Sequence, residues 1–164
     1  MKMELKLSAL VLFSVIVITA CGSGGGGASP VTANPASITV DPSGKFAYTA
    51  NWGSNTISVY AIDAATGALT AKTAVAAGTN PVSIAVDPSG KFAYAANWGS
   101  KNISVYTITA ATGALTAGTA VAAGTNPSSV AVDPSGKFVY AANEKDSTIS
   151  DYTINAATGA LQLQ

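Results

Sequence analysis

Eight carboxylates, eight lysines, one cysteine and two tryptophans are the side chains of this 164-residue sequence best suited to chemistry or recognition. Histidine and arginine are both absent. The side chain that titrates most readily near neutral pH is therefore missing. So is the planar fork that clamps carboxylates and phosphates in pairs of hydrogen bonds. Asp41, Asp87 and Asp133 each open an Asp-Pro-Ser-Gly tetrapeptide. They have two readings: metal or acid–base groups, or turn residues that cap their own backbone. The turn reading is favoured, because no Asp-rich calcium loop and no Cys/His metal spacing occurs. The Gly22–Gly27 run opens no helix and so makes no phosphate cradle. No metal or cofactor is expected. The lysines are scattered, whereas a nucleic-acid surface needs them clustered, so nucleic acid is not an expected partner.

Asn51-Trp52, Asn97-Trp98 and Asn143 form the other candidate set. Indole faces beside amides could stack on and hydrogen-bond a carbohydrate or a peptide. The competing reading gives the asparagines to turn geometry and uses each tryptophan to cover a sheet edge. The third copy carries Glu144-Lys145-Asp146 in place of Trp-Gly-Ser, so any such site is not threefold.

These residues are placed by a repeat. Asp-Pro-Ser-Gly-Lys-Phe begins at Asp41, Asp87 and Asp133, 46 residues apart each time. A fixed period of this size marks a solenoid, propeller or array. The units are 35–80, 81–126 and an incomplete 127–164, and the first two differ at only eight positions. Each unit reads as four short strands. In the first, strand a covers Ser37–Val40, strand b Lys45–Ala50, strand c Thr56–Ile62 and strand d Ala68–Val75. Gly- and Asn-rich turns separate them. Strand c is apolar on both faces, which suits a sheet sandwiched between neighbours rather than one with a wet face. Strand d carries Thr70, Lys72 and Thr73, as an outer edge should. The expected fold is all-β: a partial β-propeller of three four-stranded antiparallel blades.

Tyr48-Thr49-Ala50-Asn51, Tyr94-Ala95-Ala96-Asn97 and Tyr140-Ala141-Ala142-Asn143 resemble the YVTN propeller repeat. The fuller pattern, with Asp-Pro-Ser-Gly-Lys-Phe and Ala-Ala-Thr-Gly-Ala-Leu, is similar to the seven-bladed lactonase-like family, which includes 6-phosphogluconolactonase-like proteins. That family commonly uses His, Arg and Glu in its central cleft. Two of those types do not occur here, so no catalytic residue carries over. Lactone hydrolysis needs a base for water and a cation or donor for the oxyanion. Only lysines and carboxylates remain to serve.

Residues 1–20 read as an export segment: Lys2 and Lys6, then an apolar run Leu7–Thr19. The run is shorter than the ~20 residues a spanning helix needs. Ile18-Thr19-Ala20-Cys21 resembles the bacterial lipobox, which implies lipidation at Cys21 and a membrane anchor. Gly22 rather than Asp at the next position implies the outer membrane in a Gram-negative host. Residues 21–34 form the lipidated cysteine and a Gly/Ser-rich linker with a reach of roughly 20 Å. Without residues 1–20, six lysines face seven acids.

Three blades leave two faces uncovered, each of roughly 300 Å² from strand spacing and length. Patches of that size attract partners. A second copy joined head to tail, another propeller chain, or further blades of a longer propeller could cover them. The expected function is a membrane-anchored, non-enzymatic propeller module for binding or assembly at the cell envelope. The alternative is a partial or degenerate lactone hydrolase.

Overall fold

The computed structural model describes residues 33–164, which contain strands and turns and no helix. The export segment, Cys21 and most of the linker lie outside the described residues. The first sheet holds β1 (Pro35–Val40), β2 (Phe46–Asn51), β3 (Thr56–Ile62) and an outer strand in two pieces, β4 (Leu69–Ala71) and β5 (Val75–Ala76). The second repeats this with β6 (Pro81–Val86), β7 (Phe92–Asn97), β8 (Asn102–Ile108), β9 (Leu115–Ala117) and β10 (Val121–Ala122). The third holds β11 (Pro127–Val132), β12 (Phe138–Asn143), β13 (Thr148–Ile154) and β14 (Leu161–Leu163). Neighbouring strands are antiparallel throughout, and sequence order is spatial order within each sheet. The first strands β1, β6 and β11 lie side by side, so the three sheets fan out from a common inner edge. That is the arrangement of propeller blades.

The Asp-Pro-Ser-Gly tetrapeptides are turns. Gly44 N–H donates to the Asp41 carbonyl at 2.9 Å, and Gly44 takes φ 70°, open to glycine without strain. The Asp41 carboxylate accepts from the backbone N–H groups of Lys45 (2.9 Å) and Phe46 (2.8 Å) and from the Ser43 hydroxyl. Asp87 and Asp133 do the same one and two repeats later. Burial pushes the Asp41 pKa up, but the Ser43 hydroxyl and the surrounding N–H groups outweigh it and hold the carboxyl below its usual value. These aspartates are occupied as turn anchors.

The outer strand departs from the sequence expectation of one continuous strand over Ala68–Val75. Tyr60 faces Ala71 and Ile57 faces Val75, so three steps along β3 meet four along the outer strand. The extra residue is a bulge that splits the strand at Lys72–Ala74. The second blade has the same break.

Two joints hold the blades together, and they are built alike. In the first, Phe46, Tyr48, Ile57 and Val59 pack on Ile84, Ala93, Ala95 and Tyr106. In the second, Phe92, Tyr94, Ile103 and Val105 pack on Val130, Val139, Ala141 and Tyr152. Burying each large side chain contributes about 1.5–3 kcal/mol. Polar hooks fix the register. The Tyr48 hydroxyl donates to the Gly113 carbonyl (3.1 Å), and Tyr106 reaches back to the Ala76 carbonyl (2.9 Å). Tyr94 to Gly159 and Tyr152 to Ala122 repeat the pair. Gly113 and Gly159 sit against the rings of Phe46 and Phe92, where a Cβ would collide. Burial, with a smaller push from the Asp41 charge, raises the Tyr48 pKa to about 12, so it remains a donor across the neutral range.

Candidate functional site

The turns β2–β3, β7–β8 and β12–β13 gather on one rim with the loops that enter β6 and β11. Their backbones are hooked together. Trp98 N–H donates to the Asn80 carbonyl (2.9 Å), and Glu144 N–H to the Asn126 carbonyl (3.0 Å). Asn80 and Asn126 hold φ of 53° and 59°, a left-handed conformation that asparagine tolerates better than most residues. The consequence is that Trp52 and Trp98, one repeat apart, meet with ring centroids 5.3 Å apart and planes tilted by 47°. Both are half-buried.

Beside Trp98 lies an open cleft of about 330 Å³ lined by Trp98, Asn126, Glu144 and Lys145. The third turn thus places a carboxylate and an ammonium where a third tryptophan would continue the row. Asp146 has its own task. Its carboxylate accepts from Thr125 N–H, as the Ser100 hydroxyl accepts from Thr79 N–H one repeat earlier. That N–H, with the Thr125 hydroxyl and the charges of Lys101 and Lys145, holds the Asp146 carboxyl below its usual pKa. The rim around the cleft therefore carries two acids, Glu144 and Asp146, and two lysines, Lys101 and Lys145.

Of the five residues that the sequence pointed to as ligand-binding, the structure brings Trp52 and Trp98 together at the rim. It turns the side chains of Asn51, Asn97 and Asn143 inward. All three are buried. The Asn51 amide donates to the hydroxyls of Thr56 (3.1 Å) and Ser58 (2.8 Å), and Asn143 to those of Thr148 (3.1 Å) and Ser150 (2.9 Å). Asn97 donates to the Asn102 side chain (2.8 Å) and the Ser104 hydroxyl (2.9 Å). These amides brace the start of the third strand. Their carbonyl oxygens differ: Thr49 donates to that of Asn51 at 3.2 Å, whereas those of Asn97 and Asn143 are buried without a donor. Ala95 and Ala141 stand where Thr49 stands in the first blade. Asn126, Glu144 and Lys145 join the site instead. The sequence signalled Glu144 and Lys145 by the loss of Trp-Gly-Ser from the third copy, and Asn126 by its place in the loop that enters the third unit. Among the described residues no three carboxylates or thiols gather to hold a metal.

A fan of four-stranded antiparallel blades with tyrosine-hooked joints defines a β-propeller repeat protein. The sequence model of the seven-bladed lactonase β-propeller matches residues 14–121 and 83–164. The chain belongs to that family. Among solved structures it is similar to a candidate 6-phosphogluconolactonase of Bacteroides fragilis, at 26% identity and a TM-score of 0.75 over 80% of this chain and 38% of that one. A counterpart from Bacteroides uniformis gives 27% identity and a TM-score of 0.74 over 77% of this chain and 38% of that one. A periplasmic gluconolactonase of Pseudomonas aeruginosa, at 20% identity and a TM-score of 0.68 over 77% of this chain and 38% of that one, shares the fold. The chain spans well under half the length of each. No curated protein matches the sequence.

Proposed function

We propose that this chain is an envelope-anchored propeller module whose rim binds a neutral carbohydrate-type ligand, with sugar-acid lactones as the leading class. The cleft between Trp98 and the Glu144-Lys145 turn carries the reading. An indole face supplies stacking area, while Asn126, Glu144 and Lys145 supply hydrogen-bonding groups at its edge. Two acids and two lysines cancel around it, and the sequence has no arginine, so the rim lacks the excess positive charge that a phosphorylated sugar would call for. The anchor rests on Cys21 and the apolar run before it, which lie outside the described residues. Metabolic labelling with a palmitate analogue tests it: label lost in Cys21→Ser supports the anchor, and label retained there removes it.

The family match favours a second reading, lactone hydrolysis. Here Glu144 would take a proton from water as its oxygen adds to the lactone carbonyl. Lys145 would stabilise the oxyanion; as it collapses, the bond from the carbonyl carbon to the ring oxygen breaks, and that oxygen takes the proton back from Glu144 to become the hydroxyl of a hydroxy acid. One experiment separates the readings. The protein is titrated with an aldonolactone while tryptophan fluorescence and acid release are both followed. A saturable fluorescence change without acid release above the spontaneous rate supports binding. Acid release abolished by Glu144→Gln supports hydrolysis. No fluorescence change and no acid release overturns both.

A further inference from the structure

The loops that lead into the second and third blades are tied down in unlike ways, and the difference falls beside the cleft. In the first loop Asn80 is fully engaged. Its N–H donates to the side-chain oxygen of Asn55 (2.7 Å), and its side-chain amide donates to the Trp52 carbonyl (3.3 Å). Its own carbonyl accepts from Trp98 N–H (2.9 Å). The Thr79 carbonyl before it accepts from Gly99 N–H (3.0 Å) and Ser100 N–H (3.3 Å). One repeat later the sequence removes most of these partners. Lys101 stands in the place of Asn55, and its side chain carries donors only. Glu144-Lys145-Asp146 stand in the place of Trp98-Gly99-Ser100. Two ties survive: Glu144 N–H to the Asn126 carbonyl (3.0 Å) and Thr125 N–H to the Asp146 carboxylate (2.5 Å). Among the described residues nothing accepts from Asn126 N–H or from its side-chain amide, and nothing donates to the Trp98 or Thr125 carbonyl. The loop backbone is the same in both places, with φ 53° at Asn80 and 59° at Asn126. Asn126 N–H therefore faces the turn of the second blade, as Asn80 N–H faces that of the first. Trp98 of that turn and Asn126 line one cleft.

We propose that Asn126 reads a carbonyl oxygen of the ligand. Its main-chain N–H donates to the lactone carbonyl as Asn80 N–H donates to the amide oxygen of Asn55. The proposal rests on the rim reading above and narrows it, from carbohydrate-type ligands in general to those with a carbonyl on the ring. The first joint shows the chemistry that this loop accepts: an sp² oxygen held by the residue in the left-handed position. The second joint has the same donor beside an indole, with the oxygen left for the ligand to bring. The Asn126 amide and the Trp98 and Thr125 carbonyls are then available to neighbouring hydroxyls, which both donate and accept. Lys101 sets the specificity from outside the cleft, which it does not line. It acts by not being asparagine, and so by leaving Asn126 N–H unclaimed.

Returning the missing oxygen to the chain tests the proposal. The full-length protein in detergent is titrated, by tryptophan fluorescence, with an aldonolactone and with the anhydroalditol that has a methylene in place of the carbonyl. The unsubstituted chain binds the lactone about fivefold more tightly, the worth of one hydrogen bond. Lys101→Asn offers its own amide oxygen to Asn126 N–H. It raises the thermal midpoint and weakens lactone binding by about fivefold, to the level of the anhydroalditol, whose affinity changes by less than about twofold. Lys101→Gly keeps the left-handed turn and removes the same charge without supplying an oxygen, so it retains the preference for the lactone. Equal affinity of the unsubstituted chain for the two sugars overturns the proposal and leaves the rim reading standing. So does a lactone preference that persists in Lys101→Asn or is lost in Lys101→Gly. No fluorescence change with either sugar overturns both.

Discussion

Val105 in the middle blade and Asp151 in the third hold the same place in the repeat, and so do Trp98 and Glu144. Val105 is buried in a joint, while Asp151 lies half-exposed on an outward face. Trp98 pairs with the tryptophan before it, while Glu144 ends the row and closes a cleft. The backbone, the aspartate turn and the buried asparagine are the same in both blades. Residues that recur in every copy therefore build the blade. The ones that break the repeat stand elsewhere: Asp151 on the outward face of the third blade, and Glu144 at the rim cleft.

The largest expected contrast sets a joint against an outward face. Ile103→Ala removes a fully buried side chain and lowers stability by about 3–4 kcal/mol, while Ile149→Ala, on the third blade, costs under about 1 kcal/mol. Urea unfolding of the two variants measures both. Gly113→Ala and Gly67→Ala sharpen the same comparison. Both force a β-carbon into a left-handed turn, a strain of about 1–2 kcal/mol. Only Gly113→Ala also drives a methyl into the Phe46 ring, adding about 1–3 kcal/mol. Equal losses for the two glycines would mean that the joint is not packed as described.

Acid titration separates the turn anchors from the rest of the blade. The Ser135 hydroxyl and nearby N–H groups hold the Asp133 pKa at about 2, against about 3.9 in an unfolded chain. Between those values the unfolded chain binds more protons, so the stabilisation is complete above about pH 4 and is lost as pH falls towards 2. Asp41, Asp63 and Asp146 are lowered too and act in the same direction. Asp133→Asn should lower the thermal midpoint at pH 7 and flatten its fall below pH 4. The smallest effect is a gain. Lys101 sits at φ 55°, where the first blade has Asn55 accepting from Asn80 N–H at 2.7 Å. Lys101→Asn should raise stability by about 0.5–1 kcal/mol, read from the same urea curves.

Much of the blade was legible because its determinants are local. Pro42 and Gly44 define the first turn, and Ile57 and Val59 against Tyr60 reveal a third strand buried on both sides. The bulge at Lys72–Ala74 was not legible, since it exists only as a mismatch against β3. The fate of Asn51, Asn97 and Asn143 was half legible. Their turn-side role could be read from residue type, but the hydroxyls of Ser58, Ser104 and Ser150 that draw them inward come from the next strand. The joint hooks were out of reach: Tyr48 and Gly113 are 65 residues apart, and neither residue type announces the other. The site was legible as a break in the repeat, while the cleft itself needed the folded rim to bring Trp98 alongside Glu144 and Lys145.

The most direct measurement is an aldonolactone titration of Trp98→Leu beside the unsubstituted chain, with Trp52 left as reporter and circular dichroism confirming that both are folded. If the broken repeat is the binding rim, the unsubstituted chain shows a saturable fluorescence change and the variant binds at least tenfold more weakly. Equal affinity in the two would contradict the account and place the ligand away from the Trp98–Glu144–Lys145 cleft.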